Sequence, residues 1–146
     1  MAEVRTVDSE VERADAFAVR QTVFVEEQGV DEALEYDEHE DEATHFVAYD
    51  GDEPIGAARL REPKSGLGKV ERVAVLESRR DAGVGRDLML AIEDRAFEQG
   101  LESLKLHSQT RAAEFYRGLG YEQYGEEFME ADIPHVKMRK SLDERV

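Results

Sequence analysis

The chain has no cysteine, only three prolines, and few lysines among its cations. Without cysteine there is no disulfide, no thiol nucleophile and no thiolate-bound metal. No apolar run approaches the roughly 20 residues that a membrane-spanning helix requires. The opening Met1-Ala2-Glu3-Val4-Arg5 also lacks the charged-then-apolar layout of a signal peptide. A soluble, cytoplasmic protein is expected. Positive charge is scarce: 19 Lys plus Arg stand against 35 Asp plus Glu, a formal charge of −16 over 146 residues. A surface of that sign repels nucleic acid. The acidic excess with few lysines predicts a halophilic protein, working where the Debye length falls to about 3 Å near 1 M salt. The alternative is an ordinary acidic protein.

What is present fits one domain, read as residues 1–146, with 40% hydrophobic residues to supply a core. Val4 to Val7 alternates and reads as a strand. Ser9 followed by Glu12 is a capping-box pattern, opening a helix with Val11, Ala14, Phe17, Ala18 and Phe24 on one face and fading near Gln28-Gly29. Asp31 to Glu42 is nearly all acidic, broken by Ala33, Leu34, Tyr36 and His39. It reads as a loop or frayed helix, and its part Asp37 to Glu42 as a solvated face or as the border of an entrance for a cationic amine. Three strand-like runs follow, His45–Tyr49, Ile55–Leu60 and Val70–Leu76, separated by turn residues as in an antiparallel meander. Val84–Glu98 reads as a helix burying Leu88, Leu90, Ala91, Ile92, Ala96 and Phe97, stopped at Gly100. A strand at Leu104–His107, a helix at Thr110–Arg117, and strands at Tyr121–Tyr124 and Val136–Met138 complete the chain. The order predicts an α/β fold, a mixed, mostly antiparallel sheet with helices on its faces.

One segment stands out chemically, Val73-Ala74-Val75-Leu76-Glu77-Ser78-Arg79-Arg80-Asp81-Ala82-Gly83-Val84-Gly85-Arg86. A strand ends, a glycine-containing turn follows and a helix begins. The first amides of a helix have no internal acceptor and sit at the positive end of its dipole, so they form an anion site suited to a pyrophosphate. Gly83 and Gly85 allow close backbone approach, and Arg79, Arg80 and Arg86 add positive charge within an acidic chain. A P-loop would need Gly-Lys-Ser/Thr next, and a dinucleotide fingerprint the full Gly-x-Gly-x-x-Gly; neither is present.

Arg80-x-x-Gly83-x-Gly85 resembles the coenzyme A pyrophosphate loop of the GCN5-related N-acetyltransferases. Downstream, Gln109-x-x-Ala112-x-x-Phe115-Tyr116 followed by Leu119-Gly120-Tyr121 is similar to that family's strand–helix element. The pieces Val23 to Gln28, Glu71 to Val75, Leu106 to Gln109 and Gly125 to Phe128 resemble the small ElaA-like subgroup, so the likeness covers essentially the whole chain. It implies a central sheet splayed at its middle, with helices on both faces. It also implies acetyl-CoA as co-substrate and no metal. Val73, Ala74 and Val75 would pair with the pantetheine arm. Arg80, Asp81, Ala82, Gly83, Val84 and Gly85 would hold the pyrophosphate beside Arg86, with Gln109, Ala112 and Phe115 also facing the coenzyme. Tyr116 would lie near the thioester sulfur, and the Val75 amide would polarise the carbonyl. Gln109 stands where many relatives carry Asn. Asp81 places a carboxylate where Gly or a basic residue is more usual, which opposes anion binding unless its side chain turns to solvent or salt screens it.

Acyl transfer to an amine needs a base for the amine proton, stabilisation of the oxyanion and an acid for the leaving thiolate. Two residues are candidates for the base. Glu71 is expected to share a strand face with Val73 and Val75; its other reading is an ion pair with Arg59 or Arg72. His107 titrates as a type near working pH; its other reading is a hydrogen-bonded structural histidine. Tyr116 is the candidate acid, or else core packing. The spacing of His39, His45 and His135 does not suggest a metal site. The expected acceptor is a small-molecule or protein amine, with no nucleic acid or membrane partner, in a monomer or homodimer. A non-catalytic coenzyme A sensor or partner-binding module is the alternative, and an acidic mimic of nucleic acid ranks last.

Overall fold

The computed structural model describes residues 2–31, 37 and 39–142. Its elements in chain order begin with β1 (Glu3–Thr6), α1 (Glu10–Arg20), a π-helical stretch (Gln21–Glu27), β2 (Thr44–Asp50), β3 (Glu53–Lys64) and β4 (Leu67–Val75). They continue with α2 (Val84–Glu98), β5 (Ser103–Gln109), a 3₁₀ turn (Thr110–Ala112), α3 (Ala113–Gly118), β6 (Glu122–Glu130) and β7 (Ile133–Ser141). The described residues form a seven-stranded sheet ordered β1-β2-β3-β4-β5-β7-β6. All pairs are antiparallel except β4 with β5. The expected α/β mixed sheet is found, with β6 and β7 longer than their apolar cores imply. The added residues mix charged side chains with others such as Ile133, Pro134 and Met129, and cross-strand pairing extends both strands.

Local signals set the helix ends. The Ser9 side chain accepts from the Glu12 amide at 3.2 Å. The Glu12 carboxylate reaches back to the Asp8 amide at 2.9 Å, one residue before the partner a standard capping box uses. Gly83 starts α2 with φ +84° and Gly100 follows it at φ +82°, both in the left-handed region that glycine tolerates.

Two cores lie on opposite faces of the sheet. Ala16, Val19 and Val23 pack with Val47, Tyr49, Ala57 and Ala74 beneath α1. The larger core holds α2 and α3 against the other face, through Leu88, Met89 and Ile92 with Leu60, Leu104, Leu106 and Met138. Burying a side chain the size of Leu or Ile contributes roughly 1.5–3 kcal/mol. The stripe expected for α2 is corrected at two positions, because Leu90 and Phe97 are exposed and Met89 and Glu93 are buried instead. Glu93 is tolerated inside because it accepts from the Tyr121 hydroxyl at 3.0 Å and from Lys140 Nζ at 3.1 Å. That contact ties α2 to β7 and to the residue preceding β6. Gly68 permits the close approach of β4 to β5 that the parallel pairing needs, since a Cβ there would lie 2.7 Å from Leu104 Cδ2 and 2.9 Å from Leu101 Cδ1.

Of the acidic run Asp31–Glu42, residues 32–36 and 38 lie outside the described residues, including Ala33, Leu34 and Tyr36. The reading of this run as a solvated face is corrected at Asp37 and Glu40. Glu40 is buried and receives both terminal nitrogens of the fully buried Arg20, at 3.0 and 2.7 Å. Asp37 receives both terminal nitrogens of the fully buried Arg59, at 2.8 and 2.9 Å. Arg59 holds the Asp37 carboxyl far below the usual carboxylate range. Two buried guanidiniums thus convert part of an acidic loop into core, because each needs a fixed counter-charge once removed from water.

Candidate active site

Parallel pairing of β4 with β5 covers Leu67 to Val70 against Ser103 to Leu106 and then stops. Beyond that point Glu71–Val75 and His107–Gln109 line a cleft of about 1090 Å³, together with the turn before α2, α3 and the end of β6. The β4 backbone therefore turns an unpaired edge toward the cleft, while its other edge is bonded to β3 through Gly56↔Val75 and Ala57↔Ala74. An extended chain with amide groups fits such an edge as an added strand does.

The helix-start turn forms one end of this cleft. Asp87 N–H donates to Gly83 O at 3.0 Å, the first helical bond of α2, so the amides of Val84, Gly85 and Arg86 precede it. Nothing lies within 4 Å of a Cβ built on Gly83, so open space meets the backbone there. Gly85 is different: a Cβ would come within 3.2 Å of Phe115 Cζ, so this glycine seats α3 against α2. Asp81 takes φ +67°, a conformation Asp adopts more readily than most residues, and it is exposed. Arg79 and Arg80 are more constrained than free cations. Arg79 pairs with Asp50 and, at 2.7 Å, with Glu53. Arg80 grips Glu27 at 2.7 and 2.8 Å, and its Nε donates to Val75 O at 3.1 Å. Arg86 is exposed. Gln109 donates to Gln28 Oε1 at 2.9 Å and accepts from Arg111 Nε at 2.8 Å, linking β5 to the end of the π-helical stretch.

Tyr116 lies in the cleft wall on α3, 8% exposed, edge-on to Phe115 at 4.9 Å and to Tyr121 at 6.0 Å. Burial pushes its hydroxyl up, so it remains protonated. Ala112 and Phe115 line the same wall, Phe115 partly exposed.

Glu71 departs from its expected geometry. Arg72 sits at φ +57°, and the register jumps from Arg59↔Glu71 to Ala57↔Ala74. The bulge adds a residue to β4 and reverses the alternation. Glu71 therefore shares its face with Ala74 on the α1 side, and the expectation that it lies with Val73 and Val75 is corrected. Its carboxylate receives Arg59 Nε at 3.0 Å and Arg61 Nε at 2.7 Å, with Lys69 Nζ at 3.2 Å. Desolvation raises its pKa, but these cations outweigh it and bring it to about 2. A carboxylate held there is a poor proton acceptor at neutral pH. The ion pair with Arg59 is present, joined by Arg61 and Lys69. Because the folded value lies below the unfolded one, the contribution of Glu71 to stability is complete above about pH 5 and is lost as pH falls through about 2. Glu71→Gln should lower stability by about 1.5–3 kcal/mol at neutral pH and flatten the acid limb of a melting-temperature series. A variant as stable as wild type at pH 7 would contradict this role.

His107 has a partner that its sequence neighbourhood does not reveal. Its Nδ1 lies 3.0 Å from Glu130 Oε1, while its ring packs edge-on to Phe128 at 5.0 Å. His135 Nε2 is 3.7 Å from the other Glu130 oxygen, and His135 Nδ1 is 2.7 Å from Ile133 O. The His107 ring holds the Glu130 carboxyl below its usual range. A carboxylate at Nδ1 fixes the proton there and leaves Nε2 as the basic lone pair. Glu130 escaped notice in the sequence because it stands 23 residues from His107. The three histidines of the discounted metal reading have separate partners. His39 is bonded to Glu42 at 2.6 Å, His45 is buried against Glu40 O at 2.7 Å, and His135 lies beside Glu130. No described helix is long and apolar enough to cross a membrane.

The sequence profile of the acetyltransferase (GNAT) domain matches residues 7–142. A Bacillus subtilis protein described as the uncharacterized N-acetyltransferase YjcF is 47% identical over 133 residues, covering 90% of this chain and 94% of its own. The crystal structure of Escherichia coli ElaA superposes with a TM-score of 0.85 at 23% identity, covering 96% of this chain and 99% of its own. A Bacillus subtilis acetyltransferase solved in complex with CoA superposes with a TM-score of 0.72 at 17% identity, covering 97% and 99%.

Proposed function

This chain belongs to the GNAT acetyltransferase family, and we propose that it transfers an acetyl group from acetyl-CoA to an amine nitrogen by direct attack in a ternary complex. The observation that carries the reading is the cleft opened where β4 and β5 part, with a glycine-led helix start at one end and Tyr116 in its wall. The pantetheine arm lies along the free edge of Val73–Val75. The pyrophosphate sits at residues 80–85 on the first amides of α2, with Arg86 beside it and Gln109, Ala112 and Phe115 on the facing wall. Binding there asks Arg80 to share its guanidinium between Glu27 and the ligand. CoA is present in a structural relative of the same fold.

His107 takes the amine proton at Nε2, with Glu130 as the residue that positions it. The amine nitrogen bonds to the thioester carbon, and the C–S bond breaks. The Tyr116 hydroxyl hydrogen-bonds the departing sulfur and supplies its proton. Glu71 has a structural role in this scheme, binding Arg59, Arg61 and Lys69.

Release of free thiol from acetyl-CoA with a panel of amines tests turnover and separates the enzyme from a coenzyme A sensor. The binding site is tested by Gly83→Val. At φ +84° a β-branched residue is strained, and its side chain fills the open approach to the turn. Acetyl-CoA affinity by calorimetry should fall, with the far-ultraviolet spectrum retained. Unchanged affinity would remove the assignment.

The acidic surface supports a second expectation. At a formal charge of −16, repulsion between exposed carboxylates opposes the compact state at low ionic strength. The melting temperature should therefore climb with added salt. A flat or falling series would assign the acidic excess another purpose and remove the halophilic reading.

A further inference from the structure

Four of the five lysines of this acidic chain, Lys64, Lys69, Lys105 and Lys137, gather in one place. Across the sheet, Arg61 stands opposite Lys69, Lys69 opposite Lys105, and Lys105 opposite Arg139. On the next pleat Lys137 stands opposite His107. Directly opposed residues share a face, so this cationic row lies on the same side of the sheet as Glu71 and His107. α1 covers that face at β2, β3 and β4. Like charges directly opposite each other destabilise a sheet, and the row is unexpected in a chain so short of positive charge.

Compensation is uneven along the row. Glu71 pairs with Arg61 and Lys69, which line the cleft, and shares its single charge with Arg59 as well. Among the described residues, no carboxylate lies within 4.0 Å of the nitrogens of Lys105, Lys137 or Arg139. Arg139 stacks over Tyr124 at 4.7 Å, and Lys137 lies 5.9 Å from the Phe128 ring centre. Lys105 is partly desolvated and feels Lys69, Arg61, Lys137 and Lys64, and both effects hold its pKa below the usual lysine value. Along β5, Lys105 is two residues from His107, about 7 Å of strand. A small molecule with its nitrogen at His107 therefore places other substituents within reach of Lys105 and Lys137.

We infer that the cationic row formed by Lys69, Lys105, Lys137 and Arg139 is the acceptor's anion-binding site, so the enzyme acts on small amines carrying a carboxylate or phosphate group. The inference rests on the acetyltransferase reading and specifies its substrate class: of the four residues Lys69 lines the cleft, and Lys105, Lys137 and Arg139 stand beside it on the same sheet face. An anionic group on the row relieves the mutual repulsion of its cations and forms charge-assisted hydrogen bonds that a neutral analogue lacks. It also orients the amine toward His107.

Matched pairs test this. For turnover, β-alanine is compared with β-alaninamide, and O-phosphoethanolamine with ethanolamine, on wild type and on the double variant Lys105→Gln/Lys137→Gln. For binding without turnover, N-acetyl-β-alanine, its amide and inorganic phosphate are titrated into CoA-saturated protein while backbone amide shifts are followed. The anionic member of at least one pair should have a kcat/KM about tenfold higher, falling toward parity in the variant. The carboxylate and phosphate arms identify which group the row selects. Shifts from the anionic ligands should centre on Lys69, Lys105 and Lys137. Equal kcat/KM within both pairs, or a preference that survives in the variant, overturns the inference while any turnover leaves the acetyltransferase reading standing. Localised shifts without turnover of any amine support an anion site and count against the enzymatic reading. Neither turnover nor localised shifts removes both. The substitutions remove repulsive charges at partly exposed positions, so a folded variant is expected, and its melting curve checks this.

Discussion

Tyr116→Phe should reduce kcat by roughly 10²–10⁴-fold with little change in acetyl-CoA affinity or melting temperature. The ring is the structural part of this residue. It is 8% exposed and makes edge contacts with Phe115 and Tyr121 that phenylalanine keeps. The hydroxyl is a different matter. None of the described residues forms a hydrogen bond with it, so removing it strands no partner inside the protein. Its raised pKa keeps the proton in place at neutral and mildly alkaline pH. A donor of that kind stabilises charge only once sulfur begins to leave as thiolate, so the loss should appear in kcat more than in KM. Steady-state turnover with single-turnover controls is the measurement. A variant that turns over like wild type under chemistry-limited conditions would leave Tyr116 as packing alone.

The second large effect belongs to His107. His107→Ala should lower kcat/KM at neutral pH by roughly 10²–10⁴-fold, and the deficit should narrow as pH rises. The sign follows from the substrate. An amine with a pKa near about 10 is almost wholly protonated at pH 7 and increasingly neutral above pH 9. A base becomes less necessary as pH climbs, so wild type and variant converge. Glu130→Gln should fall between them, because it retains His107 and loses the carboxylate that fixes its Nδ1 proton. Profiles of kcat/KM against pH for the three proteins decide this. A deficit that stays constant across pH would assign His107 to binding or packing instead.

Several features were legible because they depend on near neighbours. The start of α2 at Val84 and its stop at Gly100 follow from two glycines in left-handed backbone, and the structure keeps both boundaries. The Ser9 cap is local as well. The glycine turn is recognisable because strand, turn and helix follow one another directly along the chain. The bulge at Arg72 was hidden. Nothing in Glu71-Arg72-Val73 marks a positive φ, so simple alternation assigned Glu71 to the wrong face. The burial of Glu93 was hidden too, since it depends on Tyr121 and Lys140 reaching α2 from distant segments.

By itself, then, the sequence determined the strand and helix order, the glycine turn before α2, the family resemblance and the acidic balance of the composition. Each is a property of composition or of residues a few positions apart. Only the tertiary structure decided which charges are free. Arg79, Arg80, Asp37 and Glu40 find partners 20 to 53 residues away. Glu130 reaches His107 because β7 lies between β5 and β6. Four lysines converge because β3, β4, β5 and β7 are neighbours in the sheet. Coulomb interactions and hydrogen bonds act through space, and strand order sets those distances in ways that separation along the chain does not record.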